Sequence, residues 1–252
     1  MTQENKLVFG LNPELPYAIE EAVNRLRINI SFLGKDIRKI MIVSSEPNEG
    51  KSFVAMNLWK QIAKTGEKTI LIDSDMRNST FSTKYAMSRE DGKEMKGTSH
   101  YLSGDVELDD VLMHTDDPAG DIIVNIENVV NPSLLLENSR YEELLNAMAQ
   151  QYRYVFVDAP PLGLVSDAER IGNICDGVIL CVRGGATSKA AVRASIQQLE
   201  RAGCPLLGIV LNRVSDSKGG YYHKYYGGKY GRYGKYYYGH KYYGYGQSAK
   251  DK

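Results

Sequence analysis

"KIMIVSSEPNEGKSFVAMNLW", residues 39–59, decides the fold. Its opening, Lys39–Ser45, is a short and nearly continuous apolar run, as expected of a strand buried on both faces of a parallel sheet. From Phe53 the pattern becomes helical and is closed by Gly66. Between them lies "SEPNEGKS" (45–52), a loop that follows a strand and opens a helix, the context in which a Gly-Lys-Ser sequence cradles phosphate. In that reading Pro47, Asn48, Glu49, Gly50, Lys51, Ser52 and Phe53 wrap the phosphates, chiefly through backbone N–H groups. Lys51 reaches the β and γ oxygens, and the Ser52 hydroxyl ligates Mg²⁺. Ser45 occupies the position where the pattern has glycine, and the strand–loop–helix context outweighs that departure.

Working outward, "TILIDSD" (69–75) and "YVFVDAPP" (154–161) are further buried strands ending in carboxylates. Ligands of open parallel sheets bind beyond the carboxyl ends of the strands, so Asp73, Asp75 and Asp158 are expected beside the loop as catalytic and metal-binding groups. A hard cation bound to phosphates needs such oxygen ligands, and Asp158 suits the carboxylate that holds it directly or through water. Asn212, ending "LLGIVLN", is read either as a contact to a base edge or as a turn residue. "DIIVNI" and "GVILCVR" supply other strands. "SRYEELLNAMAQQY" is a helix expected to begin after Ser139 as its cap, and "SKAAVRASIQQLERAG" is another helix. "ELDDVLMH" suggests a short helix, and the polar "SREDGKEMKGTSH" (88–100) a mobile loop. Alternation of strands and helices points to right-handed crossovers: a doubly wound, mostly parallel α/β sheet of P-loop NTPase type with helices on both faces.

Upstream, residues 17–33 place Ile19, Ala22, Val23, Leu26, Ile30 and Leu33 on one helical face, the first element of a domain spanning 1–218. Cys175, Cys181 and Cys204 match no disulfide or metal spacing. His100, His114, His223 and His240 form no metal-like pair and read as solvated. The N-terminus lacks a signal-peptide pattern and no stretch approaches the length of a membrane span, so membrane association is expected through a partner.

The 252 residues carry no formal net charge, but the charge is unevenly placed. From Gly219 onward seven basic residues face Asp251 alone, giving a tail of +6 and a body of −6. The tail, 219–252, holds twelve tyrosines on a glycine-rich chain without the aliphatic residues of a core, and is expected to be disordered. Stacking on single-stranded nucleic acid is one reading of such a segment, and phosphoryl acceptance another. Phosphorylation adds about −1.5 to −2 charges per tyrosine, enough to reverse a basic segment several times over. With a triphosphate site in the same chain, acceptance is favoured at Tyr221, Tyr222, Tyr225, Tyr226, Tyr230, Tyr233, Tyr236, Tyr237, Tyr238, Tyr242, Tyr243 and Tyr245.

Together, "SSEPNEGKSFVAMNL", "TILIDSDMR", "NPSLLLENSRYEELL", "YRYVFVDAPPLGLVSDA" and the C-terminal tyrosine cluster resemble the bacterial tyrosine kinases of the BY-kinase family, most closely the CpsD type found with capsule and exopolysaccharide operons. Septum-positioning and plasmid-partition ATPases share the loop but lack the tyrosines. They also carry a lysine early in the loop, where Glu46 stands here. The resemblance implies ATP and Mg²⁺ at Lys51 and Ser52, completion of the metal site by Asp73 and Asp75, and a role for one of these two toward the incoming tyrosine. It implies Asp158 as the strand-end carboxylate and autophosphorylation of the tail in trans. It further implies a cytoplasmic protein recruited to the inner face of the membrane by an adaptor of the polysaccharide chain-length regulator type. Self-association as a ring in the unphosphorylated state follows from the same resemblance, through a helix carrying Glu-x-x-Arg-x-x-Arg. Here that motif reads Glu21, Asn24, Arg27. Regulation of polysaccharide synthesis or export is the implied outcome, and no nucleic acid is expected. Two other readings make different demands: a scaffold ATPase that releases phosphate without phosphotyrosine, and tail-dependent, salt-sensitive single-strand binding.

Overall fold

The computed structural model describes residues 5–214. The tyrosine cluster, His223, His240 and the expected boundary at 215–218 lie outside the described residues. Nine strands and nine helices occur among them. The strands are β1 (Leu7–Phe9), β2 (Lys39–Ser44), β3 (Thr69–Asp73), β4 (Met87–Arg89), β5 (Met113–His114), β6 (Gly120–Ile123), β7 (Tyr154–Asp158), β8 (Gly177–Arg183) and β9 (Leu206–Asn212). The helices are α1 (Tyr17–Ser31), α2 (Lys51–Ala63), α3 (Phe81–Lys84), α4 (Thr98–Ser103), α5 (Leu108–Val111), α6 (Ser133–Glu137), α7 (Ser139–Gln151), α8 (Asp167–Asn173) and α9 (Lys189–Arg201).

Seven strands form one sheet in the order β5-β6-β3-β7-β2-β8-β9. All its pairs are parallel except the short β5–β6 hairpin at one edge. Alternation along β2 sends Ile40 and Ile42 to one face and Met41 and Val43 to the other. On the first face they meet Val54, Leu58, Trp59 and Ile62 of α2 with Val23 and Ile30 of α1. On the second they meet Leu144, Leu145 and Met148 of α7, Ile171 of α8 and Leu199 of α9. Each fully buried aliphatic side chain contributes about 1.5–3 kcal/mol, so two cores back to back fix the sheet rigidly. The chain leaves β2 for β3 on one side and later reaches β8 on the other, which opens a crevice at the carboxyl ends beside β2.

Several expectations need correction. Asn138, rather than Ser139, caps α7: its Oδ1 accepts the Arg140 N–H at 3.0 Å, and Ser139 is already helical. An asparagine side chain serves this position as well as serine does. The stretch 88–100 is fastened at both ends rather than forming one loop. Ser88 and Arg89 pair with Val8 and Leu7 in an antiparallel ribbon of β1 and β4, and Thr98 begins α4. On α1 only Val23 and Ile30 are buried, while Ile19 and Ala22 face outward, because α2 covers a narrower stripe than the periodicity marks. His100 is half-buried, with Nδ1 accepting the Gly97 N–H at 3.3 Å, whereas His114 is exposed. All three cysteines are buried thiols.

Candidate active site

The loop between β2 and α2 turns sharply because Asn48 (φ 63°) and Gly50 (φ 95°) take left-handed conformations. At Gly50 a Cβ would also collide with the Asn212 amide. Burial of Glu49, only 2% exposed, holds the turn in place. Its Oε2 accepts the Glu46 N–H at 2.8 Å, and its Oε1 accepts from the Thr187 hydroxyl and from the Arg183 N–H, at 3.3 Å in the second case. A carboxylate under a phosphate-binding loop is electrostatically adverse unless its charge is consumed by donors, and here three supply it. Asn212 Nδ2 donates to the Glu49 carbonyl at 2.8 Å, so the end of β9 also grips the loop.

Helix α2 begins at Lys51 and points its N-terminal N–H groups and positive dipole end into the crevice. The Lys51 ammonium lies 2.8 Å from Asp75 Oδ2 and 3.2 Å from Asp158 Oδ2. Burial opposes its charge, but the carboxylates of Asp158 and Asp75 outweigh that penalty and hold the lysine pKa above its ordinary value. The Ser52 hydroxyl donates to Asp158 Oδ2 at 2.6 Å. Asp158 is itself pushed up by burial, against the pull of Lys51 and Ser52.

Strand register sets Asp73 directly beside Asp158. Asp73 nevertheless does not line the cavity. It is fully buried and accepts from Ser79 Oγ at 2.5 Å, the Asp75 N–H at 3.1 Å and the Asn125 N–H at 3.4 Å. Burial, then the Asp158 charge, raises its pKa to about 8. Two residues on, Asp75 lines a cavity of about 260 Å³ together with Pro47, Asn48, Gly50, Lys51, Ser52 and Phe53. The repeated aspartates of "DSD" are thus both buried but divide in role, Asp75 lining the cavity and Asp73 lying behind it.

Sequence reasoning missed several other walls of this cavity: Arg77, Thr80, Lys84, Pro160, Pro161, Leu164, Val165 and Arg213. The only signal for Arg77 was its place in "DSDMR". Its Nε pairs with the buried Asp167 at 2.7 Å, and its other nitrogens donate to the Val130 carbonyl (3.3 Å) and the Ser133 hydroxyl (3.2 Å). That clasp joins the N-terminal ends of α6 and α8 into one side of the crevice.

Two observations bear on a divalent cation. Asp158 Oδ1 is buried without a hydrogen-bond partner, beside the Ser52 hydroxyl. Among the described residues no three His, Cys, Asp or Glu side chains converge into a cage. An oxygen-only donor set with few protein ligands suits a cation of the Mg²⁺ kind, which retains water and phosphate oxygens rather than a full protein shell.

Known proteins resemble this chain in sequence and fold. Residues 37–201 match the family model described as an AAA domain. The tyrosine-protein kinase CpsD of Streptococcus agalactiae is 36% identical over 216 residues, covering 86% of this chain and 90% of that protein. Its Streptococcus pneumoniae namesake is 35% identical over 227 residues, with coverage of 86% and 92%. Among solved structures, the kinase domain of the Escherichia coli tyrosine kinase ETK is similar, with 32% identity, a TM-score of 0.69 and coverage of 79% of this chain and 78% of that one. The septum site-determining protein MinD of Pyrococcus horikoshii, at 22% identity and a TM-score of 0.60, shares the fold.

Proposed function

The chain belongs to the bacterial tyrosine kinases of the CpsD type and is an ATP-binding protein-tyrosine kinase, and from that premise we propose that it phosphorylates its own C-terminal tyrosines in trans. The observation that carries the reading is the convergence of Lys51, Ser52, Asp75 and Asp158 on one cavity beside an open helix N-terminus.

In this reading the loop N–H groups bind the phosphates and the Lys51 ammonium neutralises charge on the transferred group. Lys51 is suited to that task because its carboxylate neighbours keep it protonated across the physiological range. Ser52 and Asp158 would hold Mg²⁺, with Asp75 completing the site and Asp73 supporting it from behind. When bound, the cation supplies charge neutralisation and orients the phosphates. Asp75, on the cavity wall, orients the incoming phenol and receives its proton. A phenol near pKa 10 and a loose transition state place most of the demand on positioning rather than on base strength. Asn212 anchors the loop by donating to the Glu49 carbonyl.

The acceptors are the twelve tail tyrosines, Tyr221 to Tyr245, of a neighbouring copy. Self-association uses α1, where Arg27 Nε donates to Asn24 Oδ1 at 3.0 Å, so the asparagine takes part in the face that the family motif builds with arginine. No helix among the described residues is long and apolar enough to cross a membrane. By the family resemblance, recruitment to the inner membrane face is assigned to an adaptor of the chain-length regulator type, and the biological output to polysaccharide synthesis or export.

The test incubates phosphatase-treated full chain with ATP and Mg²⁺ and maps phosphate by intact mass and peptide analysis. Multiple phosphates on the tail are expected in the wild type, and at least a hundredfold less in Lys51→Met. Transfer in trans is read by mixing the two and finding phosphate on the Lys51→Met tail. ADP formation with a bare tail, the adaptor segment included, would instead make the protein a scaffold ATPase.

A further inference from the structure

Six tyrosines lie among the described residues, and their surroundings differ sharply. Tyr85, Tyr141, Tyr152 and Tyr154 are buried. Tyr141 shares a hydrogen bond with Ser74 at 2.8 Å, and Tyr152 donates to Asp121 at 2.5 Å. Tyr101 is half-buried beneath the Arg140 guanidinium, 4.3 Å from its ring centre. Tyr17 is 78% exposed. A phenol can accept a phosphoryl group only if its oxygen can come within about 3–3.5 Å of the reacting phosphorus in line with the leaving group, which packed rings cannot do without unfolding their surroundings.

We propose that Tyr17 is a further phosphoacceptor of this kinase, outside the tail. The proposal rests on the tyrosine-kinase reading of the Lys51 site but not on the tail being a substrate.

The placement of Tyr17 supports presentation to a second copy. The chain before it is fastened through its backbone at Leu11, whose N–H donates to the Tyr85 carbonyl at 3.0 Å, and through the Asn12 side chain, whose Oδ1 accepts from Lys60 Nζ at 2.7 Å. It is fastened again at Pro16, whose carbonyl receives the first helical N–H groups of α1, from Ile19 and Glu20. Residues 12–14 between these points are exposed, so the phenol stands at a projecting corner. Glu14, Glu20 and Glu21 surround it in sequence, whereas Lys84 and Arg213 line the cavity. That opposition of sign favours encounter between the Tyr17 corner of one copy and the crevice of another.

The step balances with the donor already invoked. The Tyr17 oxygen forms a bond to the γ-phosphorus of ATP as the bond from that phosphorus to the β–γ bridging oxygen breaks. ADP leaves, and the phenolic proton passes to the Asp75 carboxylate and then to water. The product places about −1.5 to −2 charges on the first residue of α1, where the positive end of the helix dipole stabilises an anion. The same helix carries Glu21 and Arg27, so modification changes the charge at one end of the proposed association element.

The chain permits an unambiguous readout. Tryptic cleavage after Lys6 and Arg25 releases Leu7–Arg25, in which Tyr17 is the sole hydroxyl-bearing residue. Phosphatase-treated full-length wild type, Tyr17→Phe, Lys51→Met and a variant with all twelve tail tyrosines changed to Phe are incubated with ATP and Mg²⁺ and digested. Phosphate on Leu7–Arg25 is expected in the wild type and in the tail variant, and is lost in Tyr17→Phe and Lys51→Met. In Tyr17→Phe, tail labelling persists. A labelled tail with this peptide unmodified overturns the inference and leaves the tail reading standing. A labelled peptide with a bare tail upholds it and removes the tail as acceptor. If neither is labelled, both readings fall, and labelling of the peptide in Lys51→Met assigns the phosphate to another enzyme and overturns the inference.

Discussion

Helices α1 and α2 lie against each other on the same face of the sheet, yet they belong to different regimes. Most of α2 is buried, from Lys51 at the crevice to Trp59, which is 1% exposed and donates through Nε1 to the Thr69 carbonyl at 3.4 Å. On α1 two residues are buried, and Tyr17 and Phe32 stand 78% and 79% exposed at its two ends. The contrast teaches where stability and where exchange reside. The central region, α2 with the rim of β2, β3 and β7, cannot shift without disturbing the phosphate loop. The outer helix can change its surface without disturbing the core.

The largest effect is expected from cutting into the centre. Trp59→Ala should cost about 3–5 kcal/mol, read as a lowered urea midpoint, because the void beside Gly120 and Ala63 cannot close without moving β6. A loss under about 1 kcal/mol would mean that α2 is no more fixed than α1.

Next comes the pH dependence of the rim. Asp73 is raised to about 8 by burial, with the Asp158 charge adding to it, whereas an unfolded aspartate titrates near its ordinary value of 3.8. Between these values the folded state holds a proton that the unfolded state has released. Stability associated with this group is therefore fully present below about pH 4 and declines as pH rises toward 8. One proton over two pH units corresponds to about 2–3 kcal/mol between pH 5 and 7. Urea titrations at both pH values should show Asp73→Asn losing less stability than the wild type over that interval. Parallel pH slopes in the two proteins would remove the buried proton from the account.

At the periphery the smallest change is expected. Phe32→Ser should alter stability by less than about 0.5 kcal/mol, since its ring is already in water. A larger loss would show that α1 carries packing comparable to α2.

The same contrast explains what was legible beforehand. Buried parallel strands write themselves as apolar runs, and a phosphate loop needs Gly50, Lys51 and Ser52 at fixed spacing, so the centre could be read residue by residue. The ribbon of Leu7–Phe9 with Met87–Arg89 could not, because three-residue strands carry no period and their partner lies far along the chain. Nor could the half-covered face of α1, since periodicity marks what is apolar and not how much of it a neighbour covers.

The sequence by itself determined the strand–loop–helix cradle, the strand-end carboxylates and the two-sided core, because local spacing and hydrophobic pattern demand them. Only the tertiary structure decided that Asp75 faces the cavity while Asp73 is sealed behind it. It also decided that Glu49 is spent on anchoring the loop, that Arg77 clasps Asp167, and that Tyr17 alone among the described tyrosines stands largely in solvent. Each of these depends on which distant segment arrives beside the residue, and burial and hydrogen-bond partners are properties of that arrival rather than of residue type.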